Sequence, residues 1–224
     1  MNKLQINTML KVNTDMVNAL NRLRVNLGFC GDKISTIMIT SSGSGEGKSF
    51  VSMRLWKQLA EVGVPALLID CDLQNSQLCS KYTISDINGL SGITQYLSGQ
   101  AELEDVLYET DIPNGYILPV TCFDERPEIL LTDKRFSQMI ETCKKKYGYV
   151  LIDTPAIDNL PDAMNIAAYC DGVVLVVRSG VTSRKRVRES VQALECTGTP
   201  LLGIVLNCFD ENNKSSSYYY QHRK

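Results

Sequence analysis

Lys48 and Ser49, preceded by glycines at 43, 45 and 47, are the residues whose types and spacing most directly imply chemistry. In Ser41-Ser42-Gly43-Ser44-Gly45-Glu46-Gly47-Lys48-Ser49 the glycines let the backbone turn tightly and aim its N–H groups inward, and a following helix N-terminus adds partial positive charge. Such a loop cradles phosphates. Lys48 would reach the β- and γ-phosphates, and the Ser49 hydroxyl would coordinate Mg²⁺. The regular G-x-x-x-x-G-K-[ST] pattern has its first glycine at position 42, which is Ser here, so the context must carry the reading. Carboxylates form the second set. Asp70 and Asp72 end the run Ala-Leu-Leu-Ile-Asp-Cys-Asp, where residues two apart on a strand share a face and can look toward one metal or nucleophile. Asp153 ends Tyr-Val-Leu-Ile-Asp, followed by Thr154 and Pro155, the form of a Walker B strand whose carboxylate holds Mg²⁺ directly or through water. The only histidine is His222, so serine–histidine and cysteine–histidine catalysis are excluded and a general base would be a carboxylate.

The elements that must position these residues follow from periodicity. Ile34 to Thr40 reads as a buried strand and Phe50 to Val62 as a helix closed by Gly63, which gives the loop its strand–loop–helix setting. Pro65 to Ile69, Gly115 to Val120, Tyr149 to Asp153, Gly172 to Val177 and Pro200 to Asn207 read as further strands. Helices are expected over Gly89 to Leu97, Glu102 to Tyr108, Glu128 to Lys146, Ala163 to Tyr169 and, capped by Ser183, Arg184 to Leu194. A leading helix within residues 13–29 has apolar residues at 16, 17, 20, 23 and 27; it covers a sheet edge or makes a subunit contact. Two basic clusters stand out. Lys144 to Lys146 end a helix, where cations complement the dipole and a solvated face is expected; Arg184, Lys185, Arg186 and Arg188 start one, where cations oppose it. The second cluster reads as a solvated face, with an anion or partner site as the sharper alternative.

The pattern predicts an α/β P-loop NTPase: a doubly wound, mostly parallel sheet with helices on both faces and ligand at the carboxyl ends of the strands. It would occupy residues 1–209, with 210–224 as a flexible tail. The chain has 224 residues and a net charge of −2, which gives no reason to expect nucleic acid as a partner. Eight cysteines without a C-x-x-C pair suit a reducing cytoplasm better than a disulfide framework or zinc site. No apolar run approaches the ~20 residues that cross a bilayer, so membrane association is expected through a partner.

The tail holds Tyr218, Tyr219 and Tyr220 behind three serines. A phosphoacceptor cluster accounts for both their exposure in such a segment and their residue type. If the last strand runs parallel to the first, the tail leaves on the loop side, and the stretch from Phe209 to Tyr218 spans at most ~30 Å.

With the loop from Thr40 to Ser49, the run Leu67 to Asp72, the strand from Val150 to Pro155 and the terminal tyrosines in place, the chain resembles the bacterial tyrosine kinases of the CpsD/CapB type, which regulate capsular and exopolysaccharide synthesis. The resemblance implies an ATP-dependent protein-tyrosine kinase that phosphorylates the tail tyrosines of neighbouring copies. It implies nucleotide contacts from Gly43, Ser44, Gly45, Glu46, Gly47, Lys48, Ser49 and Phe50, and from Asn207 at the base. Ser49, Asp70 and Asp153 would serve Mg²⁺. Asp70 and Asp72, with Lys48, would be catalytic, Asp70 being the first choice of base. It also implies a membrane-embedded adaptor of the polysaccharide co-polymerase type, a cognate tyrosine phosphatase, and a cytoplasmic chain brought to the membrane by the adaptor. Three departures stand out. Ser44 replaces a usual proline, Leu73-Gln74 replaces a basic residue, and of the leading-helix Glu-x-x-Arg-x-x-Arg pattern only Arg24 is kept, Asn18 and Asn21 filling the other places. Self-association therefore stays open, and a ring would need other contacts, such as Arg22. Two alternatives remain. One is a nucleotide-switched ATPase of the septum-placement or partition type, opposed by Gly43 where such proteins carry a signature lysine and by the lack of a Lys-rich amphipathic tail helix. The other is a catalytically silent scaffold, opposed by intact Lys48, Ser49, Asp70, Asp72 and Asp153.

Overall fold

In the computed structural model, residues 3–9, 12–31, 33–84, 89–157 and 161–209 are described. The continuous apolar runs become the central strands, because a strand covered on both faces has no polar side to show. In chain order the elements are β1 (Lys3–Leu4), α1 (Thr14–Gly28), β2 (Thr36–Ser41), α2 (Lys48–Glu61), β3 (Ala66–Asp70), α3 (Leu78–Lys81), α4 (Ile93–Leu97), α5 (Leu103–Val106), β4 (Tyr108–Thr110) and β5 (Gly115–Leu118). Then follow α6 (Pro127–Leu131), α7 (Lys134–Lys146), β6 (Tyr149–Asp153), α8 (Pro161–Ala167), β7 (Gly172–Arg178), α9 (Arg184–Glu195) and β8 (Leu201–Asn207). The sheet order is β1-β4-β5-β3-β6-β2-β7-β8, parallel throughout except between β4 and β5.

Alternation along the strands divides the core in two. Ile37, Ile39, Leu68, Leu151, Val174 and Val176 face a layer built on α2 and Leu27 of α1, with Trp56 at its centre donating its indole N–H to Ala66 O at 2.9 Å. Met38, Leu67, Ile69, Ile152, Val173 and Leu175 face the other layer, which includes Phe136 and Met139 of α7, Ala163 of α8 and Leu194 of α9. This is the doubly wound arrangement expected, and α1 packs against α2.

Four expectations change. The helix read from Gly89 starts only at Ile93, because Gly92 is extended and its N–H is taken by Gln95 Oε1 at 2.8 Å. The long helix from Glu128 is two helices: the Asp133 side chain accepts from Arg135 N–H at 2.8 Å and restarts the chain as a new N-cap. The helix read to Tyr108 stops at Val106, and Tyr108 to Thr110 instead pairs with β5. Lys144 is not merely solvated. It pairs with Asp171, which also accepts from Thr36 N–H at 2.8 Å, so the end of α7 is tied to the start of β2. Burial raises the Asp171 carboxyl, but Lys144 and the Thr36 and Ser35 amides outweigh it and hold it below the usual value. The tail tyrosines Tyr218, Tyr219 and Tyr220 lie outside the described residues.

Candidate active site

The loop between β2 and α2 is shaped by where its glycines sit. Gly47 is the N-cap of α2 in the left-handed conformation (φ 93°), and a Cβ there would come within 2.0 Å of Asn207 Nδ2. Only glycine satisfies both conditions. No side chain caps the helix and no acidic residue stands in its first turn, so its N–H groups and dipole remain open to an anion. Ser42 is buried at the loop entrance, its N–H directed to Val176 O at 3.4 Å, which gives the replaced glycine a place in the β2–β7 ladder. Ser44 and Gly45 are exposed, whereas Glu46 is buried.

Parallel pairing brings the carboxylates together. β6 lies between β2 and β3, and Asp70 stands directly opposite Asp153 in the β3–β6 register. Both are buried. Burial, followed by the Asp153 charge, pushes the Asp70 carboxyl up to about 8. Burial also raises Asp153, against the opposing pull of Lys48, Ser49 and Ser52. Two facing carboxylates that resist ionisation together are suited to a divalent cation, which would favour the charged form of both. Among the described residues no three His, Cys, Asp or Glu side chains form a metal cluster. Mg²⁺ normally takes one or two carboxylates and completes its shell with phosphate oxygens and water, so Asp70, Asp153 and Ser49 fit such an ion.

Each carboxylate has its own support. Asp70 accepts from Ser76 Oγ and from Asp72 N–H at 3.2 Å. Asp72 lies beyond the end of β3, so it is joined to Asp70 by this turn rather than by a shared strand face. It takes Lys48 Nζ at 3.0 Å and Asn75 N–H at 3.2 Å. Burial works against the Lys48 ammonium, but Asp153, Asp72 and Asp70 outweigh it and hold Lys48 above its ordinary value, fully charged. Asp153 accepts from Ser52 Oγ at 3.0 Å.

Asn207 ends β8 on this edge and donates to Glu46 O at 2.9 Å, so its amide braces the loop. Phe50 is half-buried on α2 with the Arg54 guanidinium 5.5 Å from its ring centre. Several contributors escaped the sequence reading: Ser52 and Ser76 support carboxylates, and Thr182 Oγ donates to Glu46 Oε1 at 2.5 Å. Asp162, at 1% exposure, stands in the electrostatic reach of Asp72 and Glu128, and its Oδ1 has no hydrogen-bond partner. None of these has a motif. Ser52 alone carried a signal, lying one helical turn after Lys48.

A loop with an open helix terminus, a charged lysine and two facing carboxylates on adjacent parallel strands defines a P-loop nucleotide-binding domain. In agreement, residues 34–195 match the model of an AAA domain. The tyrosine-protein kinase CpsD of Streptococcus agalactiae is 38% identical over 192 residues, covering 86% of this chain and 83% of that one. Among solved structures, the chimerical protein CapA2B2 superposes with a TM-score of 0.81 at 25% identity, covering 90% of this chain and 91% of the other. The kinase domain of the Escherichia coli tyrosine kinase ETK superposes with a TM-score of 0.80 at 30% identity, covering 85% and 74%. The chain belongs to the family of CpsD-type tyrosine-protein kinases.

Proposed function

We propose that this chain is an ATP- and Mg²⁺-dependent protein-tyrosine autokinase whose acceptors are Tyr218, Tyr219 and Tyr220, acting in the control of capsular or exopolysaccharide synthesis. The observation that carries the reading is the convergence of Lys48, Asp70, Asp72 and Asp153 at one sheet edge. The loop amides and Lys48 would hold the phosphates, and Asp70 and Asp153 with Ser49 would hold the metal ion, which would supply positive charge against that developing on the transferred phosphoryl group. Asp72 and Asp70 orient the acceptor hydroxyl. A bound cation favours the ionised form of Asp70, and an ionised aspartate is far too weak a base to hold the proton of a phenol near 10 in the ground state. Proton transfer then accompanies the transition state rather than preceding it.

The resemblance to kinases of the CpsD/CapB type supports a membrane-embedded adaptor as activator and as the route to the membrane; among the described residues no helix is long and apolar enough to cross one. A cognate tyrosine phosphatase and self-association between copies complete the proposal, the latter because a tail phosphorylated by a neighbour needs that neighbour close. The switch-ATPase reading is weakened at Gly43, which stands where the signature lysine would be and where a side chain would have to displace the Arg186 guanidinium.

The test is phosphotyrosine mapping by mass spectrometry after incubation with Mg²⁺ and ATP, with and without a cytoplasmic adaptor peptide, with Lys48→Met as control. Modification of the three tail tyrosines that vanishes in the control is expected. ATP binding without phosphotyrosine in either condition would exclude the autokinase.

A further inference from the structure

The first turn of α9 carries Arg184, Lys185 and Arg186, with Arg188 close behind, at the helix end where cations are disfavoured. These residues differ in what they meet. Lys185 pairs along the surface with Glu189 at 3.7 Å, and Arg188 Nε turns back to Arg184 O at 3.4 Å. Arg186 reaches across to the phosphate loop, donating from Nε to Ser42 O at 3.2 Å.

Gly43 shows how close this approach is. A Cβ there would lie 2.9, 3.0 and 3.3 Å from Nη2, Cζ and Nη1 of Arg186, so the flat guanidinium lies against the glycine. Gly43 is not among the positive-φ glycines, unlike Gly45 and Gly47. Its backbone would accept another residue, but a side chain there would displace the Arg186 guanidinium. The same α9 approach also holds the second half of the loop, because Thr182, just before the Ser183 N-cap, donates to Glu46 Oε1.

We propose that Arg186 is a second cation of the nucleotide site: it fixes the Ser42–Gly43 segment from α9 and adds positive charge at the loop for the polyphosphate of a nucleoside triphosphate. The proposal rests on the ATP-binding reading above. It makes α9 part of the nucleotide site, and it gives the cationic first turn a reason to withstand the helix dipole.

Binding of ATP, ADP and adenosine is measured by calorimetry for the full chain and for Arg186→Gln, Arg186→Lys and Lys185→Gln. Arg186→Gln should weaken ATP about tenfold or more, the scale of one charge-assisted hydrogen bond to phosphate. ADP should lose less, adenosine nothing, and Arg186→Lys should recover part of the loss. Lys185→Gln, with the same charge change one residue away, should stay within about twofold. Unfolding midpoints without nucleotide should agree among the variants. The pair Gly43→Ala and Gly43→Ala/Arg186→Ala tests the contact: the alanine should weaken ATP binding with Arg186 present and cost little once it is removed. Equal ATP affinity of Arg186→Gln and the unaltered chain would overturn the proposal, as would an equal loss for ATP and adenosine or a loss explained by a lowered midpoint. If the unaltered chain bound no ATP, the parent reading would fail instead, and this inference with it.

Discussion

The two sides of β6 solve different problems with different materials. Toward β2, β7 and β8 the site is backbone: a loop shaped by glycine, an uncapped helix end, and braces from Asn207, Thr182 and Arg186. Toward β3 it is carboxylate: Asp70 and Asp72 with Ser76 and Asn75 around them, and Asp162 nearby. Phosphates are bound well by fixed N–H groups and cations, whereas a metal ion and a phenol need oxygen acceptors. Asp153 stands on the dividing strand, facing Asp70 on one side and drawn on by Lys48 from the other. The difference teaches that binding and phosphoryl transfer can be damaged separately.

The sharpest way to break this division is to compare Lys48→Met with Asp70→Asn. Lys48→Met should lower phosphoryl transfer about a thousandfold or more, with ATP affinity also reduced; Asp70→Asn should lower turnover by about a hundredfold while ATP binding stays within a few-fold. Single-turnover transfer from radiolabelled ATP, alongside calorimetry, separates the two. Should Asp70→Asn lose nucleotide affinity as severely as turnover, the division would be wrong.

Gly47→Ala confines the damage to the loop side. The added methyl would collide with Asn207 Nδ2 and meet a backbone at φ 93°. ATP affinity should fall about 10- to 100-fold. Adding Asn207→Ala should restore only part, since the backbone strain of order 1 kcal/mol stays. Full restoration would mean that the collision, not the conformation, made the glycine necessary.

Ser52→Ala sharpens the comparison at its boundary. It removes the hydrogen bond to Asp153 Oδ1, and Mg²⁺ dependence of transfer should shift to about tenfold higher concentration, as for other residues that orient a metal ligand. Unchanged Mg²⁺ dependence would show that Ser49 and Lys48 orient Asp153 unaided.

A further effect falls on stability without metal or nucleotide. Asp70 titrates near 8 when folded and from 3.8 as an ordinary side chain, so between these values the folded chain holds the additional proton. Unfolding then releases protons, and stability should fall as pH rises from about 4 to about 8. The raised Asp153 acts in the same direction. Denaturant midpoints across this window should flatten in Asp70→Asn; an equally steep dependence in that variant would place the titrating group elsewhere.

What could be read in the sequence was whatever chemistry repeats locally. The loop, Asp70 and Asp153 each follow an apolar strand directly, so a single window shows both the element and its reactive end. Arg186 looked like a surface cation because its partner, Ser42, lies 144 residues away in the chain, and proximity of that kind exists only once β7 lies beside β2. Asp162 and Ser76 were unreadable for the same reason. β1 and β4, of two and three residues, are too short to show alternation. The break at Asp133 did have a signal, an Asp able to cap the helix behind it, overridden by the continuous helical pattern on both sides.

The place of β6 in the sheet has a consequence for synthesis. β2 and β3 are not neighbours; the strand that joins them begins at Tyr149. Until a ribosome has passed Tyr149 to Asp153, the loop strand and the Asp70 strand have no shared partner, so the nascent chain has no place to assemble the site. Folding must wait for a late strand to insert between two early ones, and the contacts it closes are long-range and slow to find. Until then, the apolar edges of β2 and β3 are open to other chains, which makes this insertion the step most exposed to misassociation.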